Sequence, residues 1–285
     1  MRKNLLFFKI SIECILVCFC LACGNNSPKN YWGDINNGEE PSENPNVAKP
    51  RYIWIDAAAN FPDFADNKEN IARDLALAKD AGFTDIVVDV RPTTGDVLFR
   101  TSIVDQVRFL YAWVNGHYTK IVRNATWDYL QAFIDEARKQ KLRVHAAINT
   151  FIGGNSIDGG TGLLHRDPSK KGWATQLNTE TGIVNVMDTG EKDKFFNPAH
   201  FEVQEFLCNL LKDLAKYDLD GIILDRGRYL NLQSDFSDYS REQFEAIWEV
   251  FGFKTIRMRY CYRELRDCLL NIPSILPNGW NFELK

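Results

Sequence analysis

The chain has 285 residues, 45% of them hydrophobic and 25% charged, enough to bury one large core or two modest ones. Its formal net charge is -4, but residues 1–22 carry +2 and residues 254–285 carry +3, which leaves -9 on the body between them. An acidic body argues against a nucleic-acid partner.

Residues 1–22 open on Met1-Arg2-Lys3-Asn4 and continue as a mostly apolar stretch that ends in Leu21-Ala22, the pattern of an export signal. Leu21-Ala22-Cys23 resembles a bacterial lipoprotein box, in which the signal is cut before the cysteine and the Cys23 thiol carries lipid. Cys20 stands where an aliphatic residue is usual, and Lys9 and Glu13 interrupt the apolar run; a plain secretory signal or an uncleaved anchor is the alternative. Residues 23–50, rich in Asn, Pro, Ser, Glu and Gly, read as a flexible tether. The expected location is the cell envelope, with the protein lipid-anchored to a membrane and facing outside the cytoplasm. Four of the seven cysteines lie in or at the end of the leader, so no disulfide framework is expected of the mature body.

Four strand-then-helix units follow over residues 51–253. The first strand is read over 51–56 and its helix over 67–81, with Ile71, Leu75 and Ala78 on one face and Gly82 as its stop. The second strand covers 85–90, and its helix comes late, over 126–141, with Thr126 as cap and Leu130, Phe133, Ile134 and Ala137 at helical spacing. The third strand covers 142–149 and its helix 199–217. The fourth, Gly221-Ile222-Ile223-Leu224-Asp225, is a short continuous apolar run of the kind buried on both faces of a parallel sheet. Ser240-Arg241-Glu242-Gln243 then reads as a capping box opening a last helix.

Alternating strands and helices point to an α/β fold with a parallel sheet, of the (β/α)8 TIM-barrel type with only the first four βα units present. A doubly wound sheet is the alternative, although the turn after the first strand, Ala57-Ala58-Ala59-Asn60, lacks the Gly-rich phosphate signature. The basic stretch 254–285 is atypical of a barrel and reads as the product of a truncated gene or shifted frame; pairing with another half, or a compact sheet needing no further strands, competes with that account. Cys261 and Cys268, seven residues apart, lie about 10.5 Å apart along a shared helix, too far for an unstrained disulfide. Long insertions at 93–125 and 151–198 both follow strand ends on one edge, where long loops carry function.

Side chains alternate along a strand, so each of the four strands ends on a polar residue at that edge. Asp56, Asp89, Arg91 and Asn149 form one candidate substrate-binding rim with Asp225, the candidate catalytic carboxylate; Arg228, Tyr229 and Trp173 are added as sugar-binding candidates. Glycosidic cleavage needs one ionised and one protonated carboxylate, and a neighbouring Arg226 or Arg228 would favour the ionised form of Asp225. Ion pairing with either arginine is the equally weighted structural alternative for Asp225; pairing with Arg91 or a loop amide is favoured for Asp89 and Asp56. Phe61, Phe64, Tyr111, Trp113, Tyr118 and Phe151 add flat rings that suit sugar faces; core packing explains most of them, and only a few would need to line the cleft. No His or Cys spacing marks a metal site, no Gly-rich loop marks a phosphate, and no cofactor is expected.

Arg51-Tyr52-Ile53-Trp54-Ile55-Asp56, Asp89-Val90-Arg91-Pro92 with Gly95-Asp96-Val97-Leu98, Val144-His145-Ala146-Ala147-Ile148-Asn149, Phe196-Asn197-Pro198-Ala199-His200 and Asp220-Gly221-Ile222-Ile223-Leu224-Asp225-Arg226 with Arg228-Tyr229 together resemble the bacterial glycosyl-hydrolase-like family ten. The resemblance spans residues 51–245. It implies a barrel acting on carbohydrate, similar to the α-amylase-like barrels whose nucleophilic Asp ends strand four, the position of Asp225. In those barrels the acid/base Glu ends strand five and a further Asp ends strand seven, beyond the four units read here. Two readings follow: a glycoside hydrolase for an extracytoplasmic poly- or oligosaccharide, or a non-catalytic carbohydrate-binding lipoprotein or inactive fragment.

Overall fold

A computed structural model describes residues 49–250. The leader with Cys23, nearly all of the tether, and the 254–285 stretch with Cys261 and Cys268 lie outside the described residues. In chain order the elements are β1 (Tyr52–Ile55), α1 (Phe61–Phe64), α2 (Lys68–Asp80), β2 (Asp85–Arg91), β3 (Phe109–Val114), β4 (His117–Val122), α3 (Tyr129–Lys139), β5 (Arg143–Asn149), β6 (Ile152–Asn155), α4 (Leu163–Arg166), β7 (Gln176–Thr179), β8 (Gly182–Asn185), β9 (Asp193–Phe195), α5 (Phe201–Leu214), β10 (Gly221–Asp225) and α6 (Asp238–Val250).

β1, β2, β5 and β10 form one parallel sheet in that order. The spatial order follows the chain without the reversal that a doubly wound sheet requires, so that alternative does not describe these residues. Every position of β2 is buried. Ile86, Val88 and Val90 join Val144, Ala146 and Ile148 of β5 in one core with Ile71 and Leu75 of α2, Leu130, Phe133 and Ile134 of α3, and Val203, Leu207 and Leu210 of α5. Each of these side chains other than that of Ala146 contributes about 1.5–3 kcal/mol by leaving water. On the opposite face of the sheet Tyr52 and Trp54 stay half exposed, at 51% and 47%.

Two caps differ from those expected. Helix α3 is capped by Asp128, whose carboxylate accepts from the Gln131 amide at 3.1 Å, and not by Thr126. The same carboxylate accepts the Tyr217 hydroxyl at 2.5 Å, pinning the helix start to the chain just after α5. Ahead of α6 it is the Ser237 hydroxyl that accepts from the Ser240 amide, at 3.2 Å, so Ser240 lies within the first turn.

The insertions fold on themselves. The first contains the antiparallel hairpin β3–β4, and the second contains the β6–β9 ribbon and the β7–β8 hairpin. They meet backbone to backbone at glycine: Gly95 has φ +80, and a Cβ there would stand 3.0 Å from the Gly154 nitrogen. Only glycine combines that conformation with that approach. Asn197, buried beyond β9, donates to Asp235 at 2.9 Å and Ser237 at 3.1 Å, tying the second insertion to the loop after β10. The chain divides into two units at Ser240 and Arg241; the described part of the second is the remainder of α6, where Arg241 and Glu245 face each other at i,i+4.

Candidate active site

The parallel register carries four strand ends to one edge. Ile55 pairs with Val88, so the next residues, Asp56 and Asp89, stand side by side. Asp89 pairs with Ala147, and Asp225 pairs with Asn149. Around them lies a cleft of about 150 Å³ lined by Trp54, Asp56, Asp89, Ala147, Asn149, Asp225 and Arg226, among others. The carboxyl ends of parallel strands are where α/β sheets bind ligands.

Asp56 is exposed; its carboxylate accepts from the Ala59 amide at 2.7 Å, which shapes the turn after β1. Asp89 is 6% exposed and accepts from the Arg91 amide at 3.2 Å. Burial, and then the charge of Asp56, raise its pKa to about 7, with a smaller push from Asp225; amides of Arg91 and Ala57 act in the other direction. Asn149 donates its side-chain amide to the Arg91 carbonyl at 2.9 Å. Asp225 is exposed and accepts from the Arg226 amide at 2.7 Å.

The arginines do not act as the sequence led us to expect. Arg226 directs its guanidinium to Asp193 of β9 at 2.5 Å, and Arg228 donates to the carbonyls of Tyr229 and Leu230 at 3.2 and 3.0 Å. Among the described residues no basic side chain pairs with Asp225, so the ion-pair alternative is not what the structure holds, and neither is stabilisation of its charge by an arginine contact. Arg91 is the larger correction. It is fully buried, and its guanidinium donates to the carbonyls of Asn149, Thr150 and Ile152. Strict alternation puts Arg91 on the side of Asp89, but the register shifts between them: Asp89 pairs with Ala147 and Arg91 with the very next residue, Ile148. That is a β-bulge, and the extra residue turns Arg91 from the cleft to the core. The expected Asp89–Arg91 side-chain pair is therefore absent.

Trp173 is also displaced from its expected role. It is 8% exposed, packs edge to face on Phe196 and near Phe206, and donates its indole N–H to Glu202 at 2.7 Å, so it belongs to the core. Phe61 and Phe64 are buried, while on the β3–β4 hairpin Tyr111 stacks on Tyr118 and Trp113 leans tilted against Tyr118; Phe151 packs partly against the core, and Tyr229 is exposed beyond β10. None of these rings lines the cleft. The aromatic side chain that does is Trp54, whose place two residues before Asp56 on an alternating strand was the available signal. Arg226 at the cleft wall was foreseen only as a partner for Asp225.

The arrangement offers three carboxyl groups of unequal environment, an amide and one indole face around a small cavity, a set suited to hydrogen-bonding hydroxyl groups and to acid–base work. Comparison with known proteins matches residues 49–248 to the family described as Glycosyl hydrolase-like 10. An S-layer-related protein of Niallia circulans is 30% identical over 213 residues, which is 70% of this chain and 12% of that protein. Among solved structures, α-L-fucosidase isoenzyme 2 from Paenibacillus thiaminolyticus is similar with a TM-score of 0.47 and 16% identity, covering 70% of this chain and 26% of that one. A hypothetical protein from Ruminiclostridium thermocellum gives a TM-score of 0.43 and 14% identity over 70% of this chain and 88% of its own. The chain thus spans a small part of the length of the curated relative and of the fucosidase.

Proposed function

Since the chain belongs to the glycosyl hydrolase-like 10 family, we propose that it is a glycoside hydrolase acting on the O-glycosidic bonds of an extracytoplasmic poly- or oligosaccharide. In this reading the four βα units are the first half of a (β/α)8 barrel, and lipid on Cys23 holds the domain to a membrane. Asp225 serves as nucleophile or as the charge that stabilises an oxocarbenium-like transition state. Asp56 and Asn149 hold sugar hydroxyls, and Trp54 stacks on the apolar face of a ring.

One observation carries the proposal: three aspartates from three different strands converge on one cleft at the carboxyl edge of the sheet, with Trp54 in its wall. Asp225 supports its role by being exposed, at a strand end, and committed to no cation. The test is Asp225→Asn in the full chain, assayed for reducing ends released from a panel of oligosaccharides. Release is expected to fall to background while the far-UV circular dichroism is unchanged; full activity in the variant would sink the assignment. Sugar binding without release by the parent chain would favour the carbohydrate-binding alternative.

A further inference from the structure

Cleavage of a glycosidic bond requires a second carboxyl group that arrives protonated, and the described part of the chain contains a residue built for this. We propose that Asp89 is the proton donor of the cleft, its carboxyl O–H delivered to the glycosidic oxygen while Asp225 faces the anomeric carbon. The inference rests on the glycosidase reading above and deepens it.

The geometry is that of a pair set across one strand. Asp89 lies two residues before the end of β2 and Asp225 ends β10, with β5 between them. Asp89 pairs with Ala147 and Asp225 with Asn149 two residues further along β5, so two strand spacings and two residues of rise put the backbones about 12 Å apart, and the two side chains must lean toward each other to reach the about 5–9.5 Å separating working carboxyl pairs in glycosidases. Both residues line the same cleft, but only Asp89 is nearly closed off from water. Asp56 faces it from just after β1, Asp225 from β10, and the phenol of Tyr129, whose buried hydroxyl has no hydrogen-bond partner, from α3. Arg91, next but one along β2, spends its guanidinium on three carbonyls, and Arg226 at the cleft wall spends its own on Asp193. Two carboxylates nearby, a dry site and no cation in contact keep the proton on Asp89 near neutrality.

In the step itself, the proton passes from Asp89 to the bridging oxygen as the bond from that oxygen to the anomeric carbon breaks, and the bonding electrons leave with the oxygen. Asp225 balances the positive charge at the carbon or bonds to it. A water then adds to that carbon, displacing the Asp225 carboxylate with its electron pair where a bond has formed, and gives its proton to the Asp89 carboxylate, restoring the acid. One water is consumed and two sugar ends are freed.

The variant is Asp89→Asn in the full chain, read in two ways. The first needs no substrate. Asp89 titrates near 3.8 when unfolded and about 7 when folded, so the parent binds the extra proton only in the folded state. Its melting temperature should fall relative to the variant as pH rises from about 4 to 7, then run parallel above 7. Parallel curves throughout would overturn the proposal. The second compares alkyl glycosides with nitrophenyl glycosides, whose phenolate leaves without a proton. A loss of about 10²–10⁴-fold on the alkyl substrates, and a far smaller one on the nitrophenyl substrates, is the expected result. Equal losses on both overturn the donor role while leaving the glycosidase reading intact. A parent chain inactive on every glycoside defeats that reading, and the donor role with it.

Discussion

Arg91 is held by the carbonyls of Asn149, Thr150 and Ile152, the chain that leaves β5 beside the cleft. Burial brings its pKa down to about 10, still high enough to remain charged at neutral pH. Arg91→Met would fill much of the volume and leave three carbonyls without a donor. A loss of about 3 kcal/mol or more is expected in urea unfolding, together with faster amide exchange after residue 149; an unchanged midpoint would mean that water replaces the guanidinium at no cost. The stability difference carried by Asp89 is of similar size, on the order of 4 kcal/mol between pH 4 and 7. Asp56, Asp89, Asn149 and Asp225 were legible at this scale because period-two alternation up to a strand end needs no tertiary information. Arg91 was not, since a bulge is set by pairing with the neighbouring strand, and Trp173 was not, since its ring is claimed by Phe196 and Phe206, which the chain brings to it only on folding.

At the scale of elements, the parallel strands and the helices over them were readable within a few residues, and the contents of the two insertions were not. Strands with continuous apolar runs announce themselves, whereas β6 and β9 pair over a gap of 37 residues and one of them is Ile152-Gly153-Gly154-Asn155. That ribbon depends on its glycines. A Cβ at Gly154 would press on the Thr161 carbonyl and come within 3.2 Å of His165, and one at Gly153 would strike Leu164 and Phe196. Gly154→Ala is therefore expected to cost about 1–3 kcal/mol and to show locally, as proteolysis within 151–198 before global unfolding. Asp128→Ala removes the α3 cap and the acceptor of Tyr217 together. A loss of about 1–2 kcal/mol is expected, and Thr126→Ala, which the sequence had marked as the cap, should be near neutral by the same thermal melt.

For the whole molecule, the pH dependence of stability has two opposing limbs. Burial works against the Asp85 charge, but hydrogen bonds from Arg143, Thr84 and His145 outweigh it and hold this carboxyl below its ordinary range; the Val144 amide and Arg138 do the same for Asp220. Groups with depressed folded pKa values stabilise above about pH 4 and lose that contribution as pH falls further. Asp89, raised, works the other way and weakens the fold from about pH 4 to 7. The melting temperature should accordingly peak near pH 4–5 and shift toward neutrality in Asp89→Asn; a parent maximum at pH 8 would contradict the sum of these groups. The sheet itself is paired on one side only at β1 and at β10 among the described residues. Unpaired parallel edges and the half-exposed Tyr52 and Trp54 predict modest stability, so a cooperative monomeric melt at high temperature would count against the four-stranded sheet standing alone.

The bulge at Val90 also bears on how related sequences should be aligned. Two steps of β2 already span a single step of β5 there, so a homologue one residue shorter at Val90 would still send Asp89 to the cleft and Arg91 to the core. A homologue shortened at Val88 would turn the carboxyl of Asp89 inward and lose the site. Within seven residues of strand, the placement of a gap separates relatives that keep this carboxyl in the cleft from relatives that keep only the fold.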